Sequence, residues 1–159
     1  MVEQKSAFIK NGMFALLKQL HQNTTANWGK MSAQQMVEHV AYFFDVSTEK
    51  LKFGLVTPEE HLPKYMEFLK SDKEFRENTK APAGILGEEP LPLVTKNIEE
   101  AIDKLRVAVD DFFDYFKNDP AKKTMHPAFG LLNFEEWVLL HHKHVTHHLK
   151  QFGLVNLSS

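Results

Sequence analysis

Asn133-Phe134-Glu135-Glu136-Trp137-Val138-Leu139-Leu140-His141-His142-Lys143-His144-Val145-Thr146-His147-His148-Leu149-Lys150-Gln151-Phe152-Gly153 is the stretch whose reading decides the fold. It opens with a capping box, Asn133 followed three residues later by Glu136. Phe134, Val138, Val145, Leu149 and Phe152 recur at helical spacing and make an apolar stripe. Gly153 suits the left-handed residue that ends a helix. The expectation is one long amphipathic helix that carries, inside its core pattern, five of the chain's nine histidines: His141, His142, His144, His147 and His148. At about 100° per residue, Trp137, His141, His144, His148 and Gln151 share an arc of about 80°. That arc flanks the apolar stripe, so it faces a cleft between helices. His142 and His147 fall outside the arc and read as surface residues.

Three more helical patterns lie upstream. Ile9, Met13, Leu16, Leu17 and Leu20 predict a helix over 3–21. Ser32 with Gln35 is a second capping box, opening a helix over 33–52 with Met36, Val40, Phe43 and Phe44 as its stripe. Ile98, Ile102, Leu105, Val109, Phe112 and Phe116 predict a long helix over 96–118, stopped by Asn118-Asp119-Pro120. Between these, 54–94 is irregular. Thr57-Pro58 reads as the cap and first position of a short helix reaching Leu69, and Pro82, Gly84, Gly87, Pro90 and Pro92 mark an extended connection. Residues 119–132 read as a loop and 154–159 as a tail. No strand-period alternation, repeat or domain boundary is visible. The expected fold is all-α, a four-helix bundle, in one domain over 1–159.

Composition closes off several functions. The chain has 159 residues, 43% apolar and 25% charged, in the globular range. Its 19 Lys and Arg against 21 Asp and Glu leave a net charge of −2, without the basic excess of a nucleic-acid binder. No apolar run is long enough to cross a membrane. Met1 to Lys5 lack the apolar core of a secretion signal. Cysteine is absent, which excludes disulfides, thiolate zinc sites and a cysteine nucleophile. A cytoplasmic protein without nucleic-acid or membrane partners is expected, and any metal must sit on nitrogen and oxygen ligands.

The i, i+4 pair His144 and His148 stacks two imidazoles over one point of the helix surface. Two ligands rarely hold an ion tightly, so a third should come from another helix. The candidates are His21, His39, His61 and His126. His39 is preferred because it lies mid-helix at the edge of an apolar stripe, one turn after Gln35. Three imidazoles leave an open coordination position, the pattern of catalytic sites. Zn²⁺, Ni²⁺ and Fe²⁺ all suit such ligands. His141 reads either as a residue orienting a ligand or a bound water or as a simply exposed one, Trp137 as packing before substrate stacking, and Gln151 as a helix-end polar residue by default, with pairing to a ligand histidine the alternative. No general base can be named; His126 and His141 are the candidates.

The segment His144-Val145-Thr146-His147-His148-Leu149-Lys150-Gln151 resembles the H-x-x-H-H-x-x-Q signature of the DinB-like metalloprotein superfamily. Trp28-Gly29-Lys30-Met31-Ser32-Ala33-Gln34-Gln35-Met36-Val37-Glu38-His39 resembles that superfamily's approach to its lone second-helix histidine. His126-Pro127-Ala128-Phe129-Gly130 followed by Glu136-Trp137 is similar to one uncharacterised DinB-like subgroup. The chain departs from the pattern in having Leu149-Lys150 where Arg-Gly often precedes the closing Gln. The resemblance implies an up-down-down-up bundle with a long connection between helices two and three. It also implies a site of His39, His144 and His148, usually with Zn²⁺ or Ni²⁺. Members with known activity include S-transferases and isomerase-like enzymes that use low-molecular-weight thiols, and dimers are common.

The function expected is therefore a metal-dependent transferase or hydrolase acting on a small molecule, with a diffusible thiol as co-reactant. Two alternatives carry the same residues. One is a bundle that binds metal or a small molecule without turnover. The other is a structural bundle whose histidine cluster protonates near pH 6 and loosens the last helix.

Overall fold

The helix termini stand where their side-chain caps place them. The computed structural model describes residues 1–79 and 89–156. The chain opens on one rod in three pieces: α1 (Val2–Ala7), a π-helical turn (Phe8–Gly12) and α2 (Met13–Leu17). Backbone angles stay right-handed helical through both junctions. Gly12 admits the Phe8 ring, since a Cβ there would lie 2.7 Å from Phe8 Cδ1. Ile9, Met13 and Leu17 are buried at the predicted spacing. The rod ends at Leu17 rather than residue 21, because the Gln19 and Leu20 N–H groups turn back onto the Leu16 and Leu17 carbonyls.

Ser32 caps α3 (Ala33–Ser47) through the predicted reciprocal box: its hydroxyl accepts from the Gln35 N–H, and Gln35 Oε1 accepts from the Ser32 N–H at 2.9 Å. α3 stops at Ser47, short of the expected residue 52, as Ser47 bonds the Phe44 carbonyl and Glu49 takes a φ of 63°. The predicted short helix exists as a 3-10 turn (Glu59–His61) and α4 (Leu62–Lys70). Thr57 does not cap it. Pro58 precedes the turn, and the Val56 and Thr57 N–H groups are drawn to the Pro127 carbonyl instead.

Of the expected extended connection, Pro82, Gly84 and Gly87 lie outside the described residues. Pro90 and Pro92 belong to coil laid along α3. That coil is strapped down by polar bonds. Glu38 accepts from the Val94 and Thr95 N–H groups and from the Thr95 hydroxyl, while Gln34 donates to the Thr95 carbonyl and hydroxyl. Asn97 then caps α5 (Ile98–Lys117), accepting from the Glu100 N–H at 2.8 Å. Its predicted stripe is buried apart from half-buried Ile102.

The stretch 119–132, expected to be a loop, holds a two-stranded antiparallel sheet, β1 (Thr124–His126) with β2 (Gly130–Leu132). The architecture is thus mostly helical with a small sheet rather than purely α. Three residues per strand are too few to show alternation. Gly130, at φ 83°, supplies the left-handed residue that a short hairpin connection needs. Asn133 opens α6 (Phe134–Gln151) through its capping box. The helix closes on a Schellman motif: Gly153 has φ 72°, its N–H reaches the Lys150 carbonyl, and the Leu154 N–H reaches that of Leu149.

α3 packs on α5 and α6, while α1 and α4 pack on α6. Thr124 ties three elements at one point. Its hydroxyl donates to the Ser47 carbonyl at the end of α3 and accepts from Trp137 Nε1 on α6 at 2.7 Å. This bond, with β1 between the helices, fixes α3 and α6 in the register that the site requires.

Candidate metal centre

α3 presents His39 toward α6, and α6 presents His144 and His148 one turn apart. The three side chains converge through Nε2. His39 Nε2 lies 3.0 Å from His144 Nε2, and His148 Nε2 lies 3.0 Å from the same atom. All three ligand atoms fall within 4.8 Å of one another, so these residues can hold a metal ion. An ion with Zn–N distances of about 2.0–2.1 Å sets tetrahedral ligand nitrogens roughly 3.3 Å apart, close to the spacing here.

Proton counting favours a cation over a hydrogen-bonded cluster. Gln151 Nε2 donates to the Trp28 carbonyl at 2.9 Å, which turns Gln151 Oε1 toward His148 Nδ1 at 2.7 Å. His148 Nδ1 must carry the proton, leaving Nε2 a bare lone pair. His144 Nε2–H can then donate well to one neighbour only, so either His39 or His148 keeps an unanswered lone pair. A divalent ion answers all three. Burial prepares the same outcome. It holds the His39 pKa down to about 4, with a smaller contribution from His147, and drives those of His144 and His148 well below 6.5. Each imidazole is therefore neutral at neutral pH and keeps one nitrogen lone pair to offer a cation. Burial lowers the pKa of each of the five clustered histidines as well, which argues against a cluster that charges near pH 6.

The other expected residues take different places. Gln151 buttresses His148, as a metal-bound imidazole requires of its outer partner. It is held in turn by the loop before α3: the Asn27 N–H donates to the Gln151 carbonyl at 2.7 Å, and a Cβ on Gly29 would lie 2.8 Å from Gln151 Nε2. Gln35 reaches no histidine; its side-chain amide serves the Ser32 cap and the Leu91 carbonyl. Trp137 is fully buried on Thr124. His141 is packed between Phe44, with ring centroids 3.8 Å apart, and Trp137, and its Nε2 is enclosed without a partner. No bond joins it to the three converging imidazoles.

His126 sits in the hairpin, its Nδ1 accepting from the Ala128 N–H at 2.9 Å and the Phe129 N–H at 3.2 Å. Burial lowers its pKa to about 3. A group so weakly basic does not suit the general-base role considered for it.

His147, read as surface, is buried, with its ring 5.3 Å from Trp28 and 6.0 Å from Phe75. Its neighbours arrive from loops distant in sequence, so helical spacing could not reveal its burial. Phe43, likewise unremarked as a site residue, places its ring 5.1 Å from both His39 and His144 and stacks on His126 at 6.1 Å. Its spacing of four from His39 was the available signal.

These groups line one cavity of about 2070 Å³ whose walls are largely apolar. That exceeds the roughly 300–1,000 Å³ typical of small-molecule pockets. No helix among the described residues is long and apolar enough to cross a membrane. The family model described as the DinB superfamily matches residues 16–152, a span containing every residue of the centre. No curated protein and no solved structure matches the chain.

Proposed function

This chain belongs to the DinB superfamily, and from that premise we propose that it is a metal-dependent enzyme acting on a small molecule. His39, His144 and His148 hold the ion, Zn²⁺ or Ni²⁺. The observation that carries the reading is the meeting of three Nε2 atoms from two helices beside a cavity large enough for a substrate and a co-reactant. Three nitrogen ligands leave room for a fourth. The ion would supply Lewis acidity, which makes a water or thiol ionisable at neutral pH. The chain's own part is to hold the imidazoles neutral by burial, to fix the His148 tautomer through Gln151, and to surround the substrate with apolar rings. Because the chain has no cysteine, a thiol nucleophile would be a diffusible co-reactant. Group transfer from such a thiol, or hydrolysis, is the reaction class.

The wider reading takes the protein as a single-domain, cytoplasmic, up-down-down-up four-helix bundle. The packing of α3 on α5 and of α1 on α6 supports that topology. A homodimer is the expected assembly, with neither nucleic acid nor membrane as partner.

Metal analysis of protein purified without a histidine tag tests the centre. One equivalent per chain is expected, lost in both His39→Ala and His148→Ala; full retention in either variant refutes it. Metal-dependent consumption of a thiol with a small electrophile tests catalysis. Metal binding without turnover across a broad substrate panel would leave a binding module instead.

A further inference from the structure

His126 lines the cavity outside the three converging imidazoles, and its two nitrogens have unlike tasks. Nδ1 accepts two backbone N–H groups of its own hairpin, from Ala128 and Phe129. An imidazole nitrogen that accepts cannot carry a proton, so the proton sits on Nε2. That Nε2 has no partner among the described residues. It is not enclosed either, since the only fully enclosed, unpartnered side-chain nitrogen or oxygen among them is His141 Nε2. The residue is 7% exposed and lines the cavity of the metal centre. The Phe43 ring stands between His126 and the His39–His144 pair and touches both. An N–H that opens onto the cavity with no acceptor among the described residues is a donor that a ligand oxygen can take in place of solvent.

The charges around the cavity indicate the sign of that ligand. Its acidic lining residues are all engaged: Glu38 with Val94 and Thr95, Glu89 with Lys30, and Glu74 with Lys150. Lys64, Lys73 and Arg76 line the same cavity and form no ion pair among the described residues. The charged lining is Lys30, Lys64, Lys73 and Arg76 against Glu38, Glu74 and Glu89, a small positive excess in a chain of net charge −2, which favours anions.

We infer that the cavity takes a small organic carboxylate with an apolar body, an oxygen of which accepts a hydrogen bond from His126 Nε2–H. Phe43 and Phe129 pack its body, and Lys64, Lys73 and Arg76 favour its charge. This rests on the cavity being the substrate site proposed above, and it makes His126 a binding residue rather than a base.

Benzoate is the probe and benzyl alcohol its uncharged control, on the full chain. Two-bond ¹H–¹⁵N spectra should show His126 protonated on Nε2 and bare on Nδ1, with the Nε2 resonance moving on addition of benzoate. His126→Asn keeps an acceptor near the Nδ1 position for the hairpin but loses the donor. His126→Gln can place an N–H near the Nε2 position. Benzoate affinity should fall at least tenfold in the Asn variant and stay within about threefold in the Gln variant; those folds correspond to about 1.4 and 0.7 kcal/mol. A proton on Nδ1, an Nε2 resonance indifferent to benzoate, equal binding of the alcohol, or equal affinity in wild type and the Asn variant would each overturn the inference. The resonance measurement decides even where a variant fails to fold. Metal content is measured on the same samples, so loss of the metal reading is seen separately from loss of this one.

Discussion

At the residue scale, the chemistry depends on which nitrogen carries a proton, and a single amide decides it for His148. Gln151 is oriented by the Trp28 carbonyl and in turn fixes the imidazole. Gln151→Leu should therefore weaken metal binding 10–100-fold, the usual loss when an outer partner is removed. Competition against a chelator of known affinity measures it, and an unchanged constant would deny Gln151 that role. His126 gives a pH prediction. Its pKa is about 3 in the fold against 6.5 for an ordinary imidazole, so between these values the unfolded chain binds a proton that the folded chain refuses. Its contribution to stability is whole above pH 6.5 and is lost as the pH falls toward 3, by up to about 1.4 kcal/mol per pH unit. Urea midpoints from pH 7 to 4.5 should fall less steeply in His126→Asn than in wild type. The sequence shows which residues can ligate and, through the i, i+4 pair, that two of them can do so together. It does not show that His126 is turned by its own hairpin, because that depends on a backbone bend made by residues after it.

At the element scale, caps and left-handed glycines set where each helix delivers its side chains. Asn133→Ala removes the N-cap of α6 and should cost about 1 kcal/mol in chemical denaturation. Two glycines make a matched pair. Gly29 and Gly153 both have positive φ, 81° and 72°, but only Gly29 faces Gln151. Gly153→Ala should lower stability alone. Gly29→Ala should lower stability and also weaken metal binding, since the new methyl would displace the Gln151 amide. Equal metal affinity in the two variants would show that the loop before α3 does not support the site. Both capping boxes and the C-terminal glycine of α6 were readable from local spacing, because a cap involves residues three or four apart. The sheet of β1 and β2 was not. Its strands are three residues long, and what holds them is the Thr124 hydroxyl between Ser47 and Trp137, contacts remote in the chain.

At the scale of the whole molecule, the proposed ion joins α3 to α6 and should bind only the folded state. A ligand present at a thousand times its dissociation constant adds about 4 kcal/mol to stability. A strong chelator should therefore lower the melting temperature of the wild type by several degrees and leave that of His39→Ala unchanged; a fall of equal size in both would place the stabilising ion elsewhere. The identity of the long helices, their apolar faces and the His144–His148 pair follow from the sequence by itself, because periodicity and capping act over one or two turns of chain. Only the tertiary structure decides that His39 meets that pair, that His141 is shut between aromatic rings, and that His147 is buried. Those outcomes depend on how α3 and the loops around 28 and 75 lie against α6, and packing between segments a hundred residues apart leaves no mark in local spacing.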